Sequence, residues 1–153
     1  MVSSAFGIGG VGAAGSRLVT LRATVRSQAT RESLICELTA RGVKHTPENI
    51  IRIAKDTSGR IVFLEKGNAS SGLQHIIERH GAQFAQRGIP EAQIPDLLMA
   101  ALTRGRQVGM QGTRPIYEVK FNGQTHYISI DVGSNGYIVG ANPTPQRLWP
   151  RRR

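Results

Sequence analysis

From Asn49 to Lys55 and again from Arg60 to Lys66 apolar and polar side chains alternate, with Asp56-Thr57-Ser58-Gly59 between the two runs. A period of two marks a strand with one face on a core, and a short Asp- and Gly-bearing break between two such runs predicts a β-hairpin. The period then lengthens. From Gly72 to Arg87, Leu73, Ile77, His80 and Phe84 fall on one helical stripe, while His75 and Arg79, four apart, share the opposite face. Gly67-Asn68-Ala69-Ser70-Ser71 offers caps for this helix, and Gly81 is its weak point. A second helix starts at Ile89-Pro90 and runs to about Arg104 on the stripe Ile94, Leu97, Leu98, Ala101 and Leu102.

The last third reads as β: Ile116 to Phe121, Gln124 to Val132 and Tyr137 to Ala141, with turns at Asn122-Gly123 and Gly133-Ser134-Asn135-Gly136. Asn-Gly fits the positive φ angles of a two-residue type I′ loop, and such a loop fixes the register. It pairs Phe121 with Gln124, Lys120 with Thr125, Val119 with His126, Glu118 with Tyr127, Tyr117 with Ile128 and Ile116 with Ser129. Val119, Tyr117, Ile128 and Ile130 then form an apolar side with His126 at its margin. Lys120, Thr125, Glu118, Tyr127 and Ser129 form a hydroxyl-rich, cationic side suited to a sugar-phosphate backbone.

Residues 1–30, rich in Gly, Ala, Ser and Val with Arg17, Arg22 and Arg26 among them, show no period and read as a flexible linker or leader. Gly7-Ile8-Gly9-Gly10-Val11-Gly12 has a superficial likeness to a dinucleotide fingerprint, but no strand precedes it and no acidic residue follows about twenty positions on. Leu34, Cys36 and Leu38 suggest a short helix ending at Gly42, with Cys36 buried as a small apolar residue. The expected organisation is a leader over 1–30, one α+β domain with an antiparallel sheet over 31–145, and a basic tail over 146–153 carrying Arg147, Arg151, Arg152 and Arg153.

Charge narrows the partners. Twenty Lys+Arg against 10 Asp+Glu leave +10 on 153 residues, most of it Arg, which favours a polyanion and nucleic acid first. The single Cys excludes an intramolecular disulfide and a Cys-based zinc cluster. No apolar run approaches the roughly 18–20 residues of a membrane span, and the first ten residues lack the charged start of a signal peptide.

Against that background the string Gly72-Leu73-Gln74-His75-Ile76-Ile77-Glu78-Arg79-His80 gathers two imidazoles and a guanidinium on one short helix. Histidine exchanges a proton near neutral pH and arginine holds phosphate oxygens, so the set points to chemistry on a phosphodiester. His75 and His80 are five apart, and Glu78 lies off their line, so the helical zinc-site pattern is absent.

With Ile116-Tyr117-Glu118-Val119, Thr125-His126-Tyr127-Ile128-Ser129 and Gly136-Tyr137-Ile138-Val139-Gly140-Ala141-Asn142-Pro143, this string resembles the C-terminal toxin domains of bacterial polymorphic and contact-dependent growth inhibition systems. These resemble members of the barnase/EndoU/colicin/RelE-like ribonuclease superfamily. The likeness covers about Gly42 to Pro143, and Gly-Leu-x-His-Ile-x-x-Arg-His is its most specific part. It implies an N-terminal helical portion leading into a twisted antiparallel sheet, with the site where helix and sheet meet. It also implies metal-free cleavage of RNA, often tRNA, without a cofactor. Delivery would be from the cell surface as part of a larger protein, with action in the target-cell cytoplasm by a monomeric nuclease domain that a cognate immunity protein neutralises.

Such a ribonuclease needs a base for the 2′-hydroxyl proton, an acid for the 5′ oxygen and cations for the phosphate. His75 or His126 is expected in one proton-transfer role and His75 or His80 in the other, with Arg79 and Lys120 on the phosphate. Thr125, Tyr127 and Ser129 would position phosphate or base, Tyr117 would stack on a base if it reaches the cleft, and Asn142 joins the substrate-binding set. Each has a plainer reading: His80 as a hydrogen-bonded structural histidine, His75 and Arg79 as a solvated face, Lys120 as an edge charge, and the hydroxyl residues as strand formers. The alternative from another class is a non-catalytic nucleic-acid-binding module, which needs the charge but not the paired histidines.

Overall fold

The computed structural model of the chain describes residues 30–150. The expected leader with its three arginines, the glycine cluster of residues 7–12 and the terminal arginines 151–153 therefore lie outside the described residues. Residues 1–37 and 38–153 divide into two compact units. Of the first, residues 30–37 are described and are helical.

The helix of residues 30–40, α1, closes at Gly42, whose φ of +70° lets its N–H reach Thr39 O at 3.1 Å and the Val43 N–H reach Leu38 O at 3.0 Å. This double closure is the Schellman motif that a glycine after a helix predicts. Cys36 corrects an expectation: it is exposed. Leu34 and Leu38, four apart, make the buried line, and a residue midway between them lies on the far side of the helix.

In the second unit β1 (Ile50–Lys55) and β2 (Ile61–Glu65) form the expected antiparallel hairpin. The Asp56 carboxylate accepts the N–H groups of Ser58 and Arg60 at 2.9 Å each, and Gly59 takes the positive φ of +86° that the turn needs. After α2 (Gly72–Gln86) and α3 (Ile94–Arg104) come four antiparallel strands in the order β3 (Arg106–Gln111), β4 (Arg114–Phe121), β5 (Gln124–Val132) and β6 (Ile138–Pro143). The fold is α+β, with helices packed on antiparallel sheet. Asn122 and Gly123 have φ of +54° and +76°, and all six expected β4–β5 pairs are present. No helix among the described residues is long and apolar enough to cross a membrane.

One face of the sheet carries the core. Val119, Ile128, Ile130, Ile138 and Ala141 pack with Leu97, Leu98 and Ala101 of α3 and with Ile76 and Phe84 of α2. The buried line of α2 differs from the expected stripe: Ile76 and Phe84 are fully buried, while Leu73 and Ile77 are only half-buried beside them. His80 falls midway between Ile76 and Phe84 and is itself half-buried. The small hairpin joins the larger sheet at one point, where the Phe63 N–H donates to Gly136 O at 2.9 Å. Gly136 has a φ of +93°, and a Cβ there would collide with Ile61 O, so this junction requires glycine.

Two elements went unanticipated. Edge strand β3 has little apolar alternation to betray it, and its Met110 is 48% exposed. The expected tail is structured as far as it is described: Gln146–Leu148 is a 3₁₀ turn, and the Trp149 ring lies 5.1 Å from that of Tyr127.

Candidate active site

α2 begins at Gly72, whose φ of +81° and close pass over the Gly67 Cα leave no room for a side chain. Ser71 occupies the N-cap but does not cap through its hydroxyl, which instead pairs with the Tyr137 hydroxyl at 3.0 Å. The preceding loop is tied by Asn68 Oδ1, which accepts the N–H groups of Ser70 and Ser71 at 2.8 and 3.2 Å. This rigid entry fixes His75. Its Nδ1 lies 2.8 Å from Ala69 O. A carbonyl oxygen only accepts, so Nδ1 carries the proton and Nε2 is the nitrogen left for chemistry.

One turn on, Arg79 is exposed, and His80 Nδ1 donates to Gln83 Oε1 at 2.8 Å, which again leaves Nε2 free. Partial burial lowers the pKa of His80 from the usual 6.5. The Gln83 hydrogen bond opposes that shift, and the charges of Arg114, Arg79 and His75 add to it. Those four cationic or titrating side chains therefore share one field.

Arg114 comes from the start of β4 and crosses the polar face of the sheet toward β6. Its Nη1 donates to Asn142 Oδ1 at 2.8 Å, and Asn142 Nδ2 donates to Gln111 Oε1 at 3.0 Å. Gly140 opens the space beside it. A Cβ on Gly140 would lie 3.1 Å from Arg114 Nη2 and 3.8 Å from His75 Cδ2, so guanidinium and imidazole both border the space over that one glycine. No carboxylate pairs with Arg114 among the described residues; its fixed partner is a neutral amide, and its charge is available to an anion.

Of the residues expected from sequence, His75, Arg79, His80 and Asn142 are brought together here. The others are not. Thr125 and His126 lie with Gln86, Arg87, Gly88, Gln124 and Trp149 around a cleft of about 380 Å³ at the opposite end of α2. His126 is 7% exposed, and its Nε2 has no hydrogen-bond partner. Burial lowers its pKa, opposed by a hydrogen bond to the Phe121 backbone and reinforced by Arg87. Lys120 is exposed near the hairpin turn and pairs across the strands with Thr125. Tyr117 lies on the core side of the sheet, where burial raises its pKa, Arg60 opposes that and Asp56 adds to it.

The expected hydroxyl-rich surface is largely closed. The Tyr127 hydroxyl donates to Glu118 Oε2 at 3.0 Å, Arg106 Nε pairs with Glu118 Oε1 at 2.9 Å, and Ser129, fully buried, bonds the Thr144 hydroxyl at 2.7 Å. Thr144 and Trp149 belong to the C-terminal segment that folds back over this side, which is why alternation alone made it look open.

Arg114 is the site residue that sequence reasoning missed. Alternation from the Ile116–Ser129 pair places it on the face of Ser129 and Asn142, but nothing local marks an Arg before Pro115 as reaching over β5 to β6. Among the described residues no group of three or more His, Cys, Asp or Glu side chains could hold a metal ion. In comparison with known proteins, no family model and no curated protein matches the chain.

Proposed function

We propose that this chain is an antibacterial toxin ribonuclease, a metal-independent endonuclease for RNA, with tRNA as the expected substrate, acting through the 2′-hydroxyl. The observation that carries the reading is that His75 and Arg114 border the same space over Gly140, with His80 in the same field. His80, held below the ordinary histidine pKa, accepts the 2′-hydroxyl proton at Nε2. The 2′ oxygen attacks phosphorus, the bond to the 5′ oxygen breaks, and His75, entering the step as the imidazolium with a second proton on Nε2, delivers that proton to the leaving oxygen. Arg114 holds the non-bridging oxygens as charge gathers on them, steadied by Asn142, and Arg79 adds a second cation at the rim. The products are a 2′,3′-cyclic phosphate and a free 5′-hydroxyl.

The formal +10 charge supports RNA as the partner. Resemblance of the His75–His80 string to growth-inhibition toxins supports the biological setting: delivery as part of a larger protein, action in a target cell's cytoplasm and neutralisation by a cognate immunity protein. The test incubates the purified chain with total bacterial RNA in EDTA beside His75→Ala. Discrete fragments with the first and none with the second support the reading. Intact RNA in both, despite measurable binding, supports a non-catalytic nucleic-acid-binding module instead.

A further inference from the structure

The cleft at the C-terminal end of α2 has features that a packed core does not need. His126 is more than nine-tenths buried, yet its Nε2 meets no donor, a costly state for a polar atom inside a protein. His126 lines the same cleft as Arg87, Gly88, Thr125 and Trp149.

Arg87 is held there in one pose. Its guanidinium lies 5.2 Å from the Trp149 ring centroid, and its Nη2 donates to Thr144 O at 3.3 Å. The Trp149 indole N–H donates to the same carbonyl at 2.8 Å, and Tyr127 packs on the ring, so the platform under the guanidinium is itself fixed. One hydrogen bond leaves most of the five N–H donors unused, and no carboxylate pairs with Arg87 among the described residues. A preformed fork for an oxyanion borders a space of about 380 Å³, within the range of small-ligand sites, with the buried His126 ring in its wall.

We propose that this cleft is a nucleotide-binding subsite, in which Arg87 takes a phosphate and the space beside Thr125 and His126 seats the attached base. Its assignment to a nucleotide of the RNA substrate rests on the ribonuclease reading. Arg87 lies twelve residues beyond His75, about 18 Å at the rise of an α-helix. The subsite therefore engages a nucleotide several positions from the bond that is cut, and α2 measures the distance between them.

Trp149 is the only tryptophan, so intrinsic fluorescence of the full chain reads this cleft directly. The probes are the four nucleoside 5′-monophosphates and a 2′-O-methyl oligonucleotide that cannot be cleaved. A saturable fluorescence change with both kinds of probe is expected. It should weaken at least tenfold in Arg87→Gln and in Thr125→Glu, which puts a carboxylate at a half-exposed position of the cleft. It should be unchanged in His75→Ala. Failure of every probe to change the fluorescence up to millimolar concentration overturns the subsite, as does unaltered binding in both cleft variants. A response to free monophosphates alone overturns its assignment to RNA. Cleavage by the unsubstituted chain is scored separately: RNA cut without any cleft response removes this inference and leaves the ribonuclease, whereas a cleft response without cleavage does the reverse.

Discussion

At its N-terminal end α2 presents His75 half-exposed, its ring turned by Ala69 O and bordering, with Arg114, the space over Gly140; at its C-terminal end lies His126, its Nε2 buried, in the wall of a cleft beside Arg87. Each end pairs an imidazole with an arginine that has no carboxylate partner among the described residues, yet their surroundings suit them to different work. Proton transfer needs a nitrogen that solvent and substrate can both reach, and one further hydrogen bond to fix the tautomer. Recognition is served by a walled cleft in which a guanidinium is already fixed and keeps N–H donors for an anion. The environment of the ring, rather than its presence, separates the two.

The sharpest way to break this comparison is to remove the arginine at each end. Arg114→Ala should lower kcat by roughly 10²–10³-fold, the loss typical of one preorganised donor to a developing oxyanion. Arg87→Gln should leave kcat within about threefold and raise KM, since in uniform binding both ground and transition states lose the same contact. Single-turnover and steady-state kinetics on one RNA distinguish these patterns. Equal losses in kcat at both ends would mean that the two clusters act as one site.

A smaller effect tests the closed face of the sheet. Ser129→Ala strands the buried Thr144 hydroxyl and should cost about 1–3 kcal/mol of stability by urea unfolding while leaving kcat unchanged. A fall in kcat without loss of stability would put Ser129 back among substrate contacts.

Gly140→Ala probes the N-terminal end more gently. Its Cβ would crowd Arg114 Nη2 at 3.1 Å, and the guanidinium, tied to Asn142, must shift by a few tenths of an ångström. About a tenfold drop in kcat is expected with little change in stability, since misplacement by an ångström can cost a hundredfold. No change in rate would mean that Arg114 moves freely and is not preorganised.

The smallest effect is on pH. His80 and His126 both have folded pKa values below 6.5, so between those values and 6.5 the unfolded chain binds more protons than the folded one. Stability is full above 6.5 and falls as pH drops toward the folded values, which urea midpoints at pH 7.5 and 5.5 would record. At His80 the facing groups are Arg114, Arg79, His75 and Gln83, and at His126 they are Arg87 and the Phe121 backbone. His80→Gln should flatten part of this slope. It should also remove the acid limb of kcat/KM, which belongs below 6.5 if His80 is the base.

Local pattern carried much of the fold. The Asn122-Gly123 turn set the β4–β5 register, and alternation found the first hairpin, because each depends on residues adjacent in sequence. Edge strand β3 and the docking of Trp149 were not legible, since neither repeats at a strand or helix period. The same distinction holds at the site. His75, Arg79 and His80 sit on one helix and were visible together, whereas Arg114 and Asn142 meet only when β4, β5 and β6 lie side by side. Placing His126 with His75 failed for a related reason: sharing a sheet with the helix says nothing about which end of that helix a strand residue reaches.

The most direct test of the central claim uses an RNA cut by the purified chain in EDTA, resynthesised with a single 2′-deoxy sugar on the 5′ side of the cleaved bond. Loss of cleavage at that bond with binding intact, and a 2′,3′-cyclic phosphate on the unmodified product that His75→Ala fails to form, is the result expected. Cleavage of the deoxy-substituted strand at the same bond would contradict the account, because the 2′-hydroxyl would then not be the nucleophile.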